Sequence, residues 1–396
     1  MKTLDVAGGL YGENCRFPKV EEILGSGGRA AIALADAGQE IRWHYYCPPH
    51  LQQEARTIMA TPRITHFAYS SNDQIHFSYM HPLSRPIYSP GKISISPPIT
   101  INAAFVLRFG MMEGDAIVTA NSCVYDPQSL DPIPFEANGS HADRLAVVLN
   151  QEEVLSYSRA PDEEQAVKRI AARSNVSVIL VKSGADGCRV YENGKLTATV
   201  PAYRSDRVYK IGTGDIFTAA FSGAWLCDGR RPADAADHAS RCVSRYAETR
   251  HVSTSETSSQ GNFLPAPIGT TGAVLVLGST SSMPCAWLFH EARDALRRMG
   301  VTISPRTGTS SMERGDPFVS TASKASISPT AVLALLDQLD TATMLWIFDA
   351  FRSKLPIVGY SQGSPSIAHS LSTFPEMEIC DDFSTAIYHV AWAARS

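Results

Sequence analysis

The chain is poor in several features that would announce a function class. Its eight cysteines (Cys15, Cys47, Cys123, Cys188, Cys227, Cys242, Cys285 and Cys380) form no CxxC pair and no Cys/His spacing suited to zinc. A disulfide framework is therefore not expected, and the cysteines read as small buried hydrophobes of a reducing compartment. No apolar run reaches 18 residues, which excludes a transmembrane helix, and no signal-peptide core follows Met1. The expectation is a soluble, cytoplasmic protein. There is no basic excess: 35 Lys and Arg face 39 Asp and Glu, a formal charge of −4, so a general nucleic-acid binder is excluded. Charged residues are only 19%, but 44% hydrophobic residues suffice for real cores and exclude wholesale disorder. No internal repeat is visible. No nucleophile elbow surrounds Ser281 or Ser282, and His44 beside Tyr45 and Tyr46 and His141 near Asp143 read as packed or solvated side chains.

What is present is length and alternation. At 396 residues the chain suits two domains better than one. Residues 252–272 are crowded with Ser, Thr, Gly and Pro, lack helical periodicity and offer little to bury, which predicts a linker between domains at 1–251 and 273–396. Strand-like runs led by Val118, at Leu145–Leu149 and at Val176–Val181, alternate with helical patterns at Glu163–Arg173 and Ile216–Leu226. That order predicts an α/β fold with a largely parallel sheet. Tyr45–Pro98, rich in His, Tyr, Ser and Pro, predicts antiparallel strands and loops forming a flap.

The most informative segment is Lys210-Ile211-Gly212-Thr213-Gly214-Asp215, followed at once by an amphipathic helix. Glycines allow a tight turn, and the unpaired N–H groups of a helix start make an anion site. An aspartate there can accept the proton of a hydroxyl that attacks a phosphoryl group. The same residues also make an ordinary helix start with an N-terminal aspartate, and the pattern alone leaves both readings open.

The segment closely resembles the GAGDxF signature of the ribokinase/PfkB family of sugar and nucleoside kinases. Four further pieces follow that family's order: Gly25-Ser26-Gly27-Gly28 with the run from Arg29 to Gly38, then Val124-Tyr125-Asp126-Pro127-Gln128, Asn150 to Glu153 as NxxE, and Lys182-Ser183-Gly184-Ala185-Asp186-Gly187. The resemblance covers roughly residues 1–250 and implies a three-layer α/β/α kinase domain using ATP and Mg²⁺. It implies Asp215 as general base and the backbone of Gly212, Thr213 and Gly214 as anion hole. Lys182, Gly184 and Gly187 would approach ATP, and Asn150 and Glu153 would organise Mg²⁺ through water. Glu13, Gly27, Gly28 and Arg29 would face the acceptor. Four positions depart from the pattern: Tyr209-Lys210 replaces an Asp-Thr pair, Glu13 an Asp, and Arg29 a sugar-binding Asn. An arginine suits carboxylate or phosphate, which would favour an acidic acceptor if Arg29 lines the pocket.

The C-terminal part again alternates, with a strand at Ala273–Leu277, a helix at Trp287–Gly300 and strands at Val301–Pro305, Ala331–Asp337 and Pro356–Tyr360. Together with the ending from Asp381 to Tyr388, this pattern resembles the Rossmann-like nucleoside 2-deoxyribosyltransferases. That likeness implies a glutamate nucleophile, but Trp346 occupies its place and Thr330 stands where an Asp usually begins the preceding strand. Without a carboxylate, covalent glycosyl transfer by that mechanism is not expected. Asp337, Asp340 and Trp346 remain ligand candidates, although the two aspartates would equally serve as caps of the next helix.

The leading expectation is thus an ATP- and Mg²⁺-dependent phosphotransferase acting on a sugar, nucleoside or related metabolite, in a homo-oligomer, with a silent nucleotide-handling domain attached. The alternatives are a nucleoside deoxyribosyltransferase or N-glycosidase, and a non-catalytic nucleotide sensor or assembly module in bacterial stress or phage defence.

Overall fold

A computed structural model describes residues 2–58, 60–173, 175–261, 263–269, 272–304, 328–337, 339–363 and 377–395. The chain forms two compact units, Met1–Pro265 and Ala266–Ser396.

The first unit is built on a nine-stranded sheet. From one edge its strands are β13 (Lys195–Val200), β12 (Cys188–Glu192), β11 (Val176–Lys182), β10 (His141–Asn150), β9 (Ala116–Asp126), β8 (Ile99–Phe109), β1 (Thr3–Ala7), β4 (Glu40–Cys47) and β5 (Ile64–Ser70). All neighbours from β11 to β5 pair in parallel, and only β12, antiparallel to both β11 and β13, runs the other way. Side chains alternate across a strand, so each central strand feeds two cores. Val124, Ala146, Val148 and Leu180 pack on one face with α1 (Gly25–Asp36), α5 (Thr213–Ser222) and α6 (Pro232–Thr249). Tyr125, Val147, Leu149 and Val181 pack on the other with α3 (Gln151–Ser158) and α4 (Glu163–Ala171). The expected parallel α/β order therefore appears as three layers.

The region from Tyr45 to Pro98 contains the expected antiparallel pairing at His76–Ser78 with Ile87–Ser89, but its earlier part differs. β5 is a parallel edge strand of the main sheet, not part of an antiparallel flap. As an edge strand it buries little, so its sequence alternates as a half-exposed antiparallel strand does. A separate four-stranded sheet has the order β3 (Val20–Ile23), β2 (Gly12–Cys15), β6 (His76–Tyr79) and β7 (Ile87–Ser89). There β2 pairs in parallel with β6 and antiparallel with β3.

Within the Ser/Thr-rich stretch, Ser253 and Thr254 are buried. The Thr254 amide and hydroxyl both donate to the Ala33 carbonyl, at 3.1 and 3.0 Å. A short helix, α7 (Glu256–Ser259), follows, and the first unit extends to Pro265.

The second unit holds five parallel strands in the order β15 (Thr302–Ile303), β14 (Ala273–Leu277), β16 (Ala331–Leu335), β17 (Ile357–Tyr360) and β18 (Met377–Cys380). Its helices are α8 (Met283–Arg298), α9 (Thr341–Arg352) and α10 (Phe383–Ala393). Leu277, Val332, Ala334 and Ile347 anchor one core cluster. Among the described residues no helix is long and apolar enough to cross a membrane.

Candidate active site

The parallel strands end along one edge of the main sheet, where Asp126, Asn150 and Lys182 close β9, β10 and β11. In open parallel sheets this carboxyl edge is where ligands bind. Helix α5 starts at the same place. Its N-cap, Gly212, has φ +80°, a left-handed conformation that glycine adopts without strain. The Thr213 amide turns back to the Lys210 carbonyl at 3.2 Å. The amides of Gly214 and Asp215 have no backbone acceptor among the described residues, as expected in a first helical turn.

Two lysines flank this turn. Lys182 donates to Asp126 Oδ2 at 2.7 Å, and its Nζ lies 3.8 Å from where a Cβ on Gly214 would stand. Lys210 donates to Thr213 Oγ1 at 2.7 Å. Burial and the neighbouring Lys182 push the Lys210 ammonium down to about 8, with Asp215 opposing the shift. Cationic side chains and helix-start amides thus converge where an anion would sit.

Asp215 itself is buried and held from two sides. Its Oδ2 accepts from Arg29 Nη1 at 2.6 Å, and its Oδ1 from Gln128 Nε2 at 2.6 Å. Gln128 holds a left-handed backbone (φ 48°), unusual for a residue with a side chain. Arg29 is fully buried on α1. It also donates through Nη2 to Glu13 and, at 3.0 Å, to Glu22. Glu22 in turn accepts from Arg250 at 3.0 Å.

Glu13 and Glu22 face each other directly across β2 and β3. Opposed like charges destabilise such a pair, and Arg29 offsets this by bonding both. A Cβ on Gly212 would lie 2.4 Å from Arg29 Nε, so the guanidinium packs flat on the signature turn. Three carboxylates therefore answer Arg29 within the protein. Its positive charge is consumed, which removes the basis for expecting an acidic acceptor.

The other predicted residues divide clearly. Gly27 approaches β1 so closely that a Cβ would lie 2.2 Å from the Gly8 carbonyl oxygen, and Gly28 is buried on α1 beside Arg29. Gly184 and Gly187 both have positive φ, and a Cβ on Gly187 would lie 2.1 Å from the Val200 carbonyl oxygen. That glycine makes room for the chain's own backbone. Asn150 and Glu153 close a capping box: Asn150 Oδ1 accepts from the amides of Glu152 and Glu153, and Glu153 Oε2 accepts from the Asn150 amide at 2.8 Å. Burial, against the pull of Lys182, pushes the Glu153 carboxyl up to about 7.

Asp126 is fully buried. Its Oδ2 accepts from Thr218 as well as Lys182, whereas Oδ1 has no hydrogen-bond partner among the described residues. An orphaned buried carboxylate oxygen beside Glu153 is a hard donor of the kind Mg²⁺ takes.

In the second unit, Asp340 caps α9 through the Thr343 amide at 2.7 Å. Asp337 accepts from Ser361 Oγ at 2.8 Å and from the amides of Gln362 and Gly363, bracing the turn after β17. Trp346 packs against the apolar core cluster.

Asp126, Gln128, Lys210, Thr218 and Glu22 join the site without having been assigned a role from sequence. Asp126, Gln128 and Lys210 lie inside the quoted motifs. Nothing in the sequence marks Glu22, because its place depends on strand register.

Comparison with known proteins adds to this geometry. Residues 116–258 match the model of the pfkB family of carbohydrate kinases, a span containing Asp126, Gln128, Asn150, Glu153, Lys182, Lys210 and Asp215. No curated protein matches the sequence. Among solved structures, the chain is similar to phosphofructokinase-2 from Escherichia coli in complex with potassium, at 14% identity and a TM-score of 0.47, covering 66% of this chain and 97% of that one. It is similar to ribokinase from Thermotoga maritima at 15% identity and a TM-score of 0.47, covering 65% and 98%. A pyrophosphate-dependent kinase of the ribokinase family, solved as a sulfate complex, is similar at 16% identity and a TM-score of 0.46, covering 63% and 96%.

Proposed function

We propose that the first unit is a phosphotransferase that moves the terminal phosphoryl group of ATP to a hydroxyl of a sugar, nucleoside or related neutral metabolite. The observation that carries this reading is the placement of Asp215 at the N-terminus of α5, beside the Gly214 and Asp215 amides and between Lys182 and Lys210. These donors suit the charge on a transferring phosphoryl group, and Asp215 suits the proton of the attacking hydroxyl. Asp126 and Glu153 would hold Mg²⁺, which supplies charge neutralisation to the phosphates when bound.

A carboxylate oxygen can accept two hydrogen bonds, so the acceptor hydroxyl can reach Oδ1 beside the Gln128 amide or in its place, while the stronger guanidinium bond holds Oδ2. Arg29 then fixes the plane of the carboxylate while Oδ1 receives the hydroxyl proton. A panel of sugars, nucleosides and cyclic polyols, each incubated with the full chain and ATP-Mg²⁺, tests the reading. Acceptor-dependent ADP release supports it, whereas ligand binding with no ATP consumption across the panel overturns it.

That negative outcome is the mark of a second reading, a nucleotide sensor without chemistry. It is favoured by the engagement of both Asp215 oxygens in the protein's own hydrogen bonds. For the second unit we infer a ligand-handling or assembly role without glycosyl transfer. At the position the deoxyribosyltransferase resemblance assigns to a nucleophile, Trp346 packs on the core.

A further inference from the structure

The second unit carries a side-chain cluster unrelated to phosphoryl transfer. Glu378 and Cys380 lie two residues apart on β18, so both project from one face of the strand. His389 comes from α10. One donor atom from each of the three lies within 4.8 Å of the other two. His389 Nδ1 and Glu378 Oε1 are 2.5 Å apart. The residues are Glu, Cys and His, and the spacing of Cys380 and His389 matches no local zinc pattern in the sequence. The fold alone assembles them.

We propose that Glu378, Cys380 and His389 form a divalent transition-metal site, with Zn²⁺ as its ion. A thiolate, an imidazole and a carboxylate are the ligand types this borderline-soft ion accepts. Bond lengths of about 2.0–2.3 Å place tetrahedral ligands about 3.3–3.7 Å apart. The Glu378–His389 pair would have to open by about 1 Å to admit the ion, and the Cys380 sulfur, already within 4.8 Å of both, would complete the set by small side-chain adjustments. The charges also close: one carboxylate and one thiolate neutralise Zn²⁺ next to a neutral imidazole. Cys380 is buried, where a thiolate without a counter-charge would be costly.

Access is available as well. Among the described residues β18 is the edge strand of its sheet, and the Glu378 side chain is 55% exposed against 11% for His389. The ion would be sheltered on the helix side and open on the other, where water supplies the fourth ligand. This inference is independent of the kinase reading, because every residue it uses lies in the second unit.

The test uses the full chain, stripped with chelator and titrated with Zn²⁺ against a chromophoric competitor, and separately with Co²⁺. The site predicts one equivalent bound and a thiolate-to-Co²⁺ charge-transfer band. Cys380→Ser should abolish the band, and His389→Gln should weaken Zn²⁺ by more than the 10- to 100-fold or so that loss of an outer-sphere partner costs. Glu378→Gln, at an exposed position, keeps the fold testable and should also weaken binding while leaving the metal-free thermal midpoint unchanged. Equal Zn²⁺ affinity in the parent and all three variants, or no binding at micromolar Zn²⁺, overturns the proposal.

Discussion

Arg29 shows why residue type alone does not assign chemistry. An arginine in place of an asparagine looks like an anion receptor, yet its guanidinium is buried among Glu13, Glu22 and Asp215. Removing one partner from a buried ionic network costs about 3–5 kcal/mol, because the remaining charges stay desolvated. Arg29→Met should therefore lower stability in urea denaturation by that order, and Glu22→Gln by clearly less, since Arg29 keeps Glu13 and Asp215 and the Glu22 side chain is itself partly exposed. Equal losses from both variants would mean the network does not centre on Arg29.

Lys210 gives a second test at this scale. Burial and the neighbouring Lys182 hold its ammonium well below the usual lysine range, at about 8. A bound phosphate prefers the protonated form and raises that value. Affinity for ADP or pyrophosphate should thus be highest below pH 8 and fall by up to tenfold per pH unit above it. Lys210→Met should flatten that slope. A slope unchanged in the variant would place the anion elsewhere.

At the scale of elements, the Asn150–Glu153 pair is first a helix start. Its capping box fixes the entry to α3, so Asn150→Ala should cost about 1 kcal/mol in chemical denaturation before any effect on catalysis is considered. A much larger loss of turnover than of stability would separate a metal role from the cap.

Elements also show what a sequence conceals. The central strands were legible because strands buried on both faces read as apolar runs, as β10 and β11 do. The signature turn was legible because glycine at Gly212 and the helix after it are local features. The edge strand β5 was not, since a half-exposed strand alternates whether its neighbour is parallel or antiparallel. Nor was the Ser/Thr-rich stretch after Val252 readable as packed structure. Thr254 is held there by hydrogen bonds to Ala33, a partner over two hundred residues away. Long-range register decides such cases, as it does for Glu13 opposite Glu22 and for His389 beside Cys380.

At the scale of the whole molecule, the chain divides into two units with separate cores and separate polar clusters. The first gathers a carboxylate, two lysines and a helix start at the carboxyl edge of its parallel strands. The second keeps five parallel strands, while its three sequence-predicted ligand candidates serve as cap, brace and core. The metal site proposed for it lies instead at the edge strand β18. In the proposed reaction Asp215 takes the proton in phosphoryl transfer. The most direct measurement follows label from γ-phosphate-labelled ATP into acceptor for the parent chain and Asp215→Asn side by side, with nucleotide affinity recorded for both. Transfer is expected to fall by about 10²- to 10⁴-fold, with nucleotide affinity within a few-fold of the parent. Transfer at near-parental rate in the variant would contradict it.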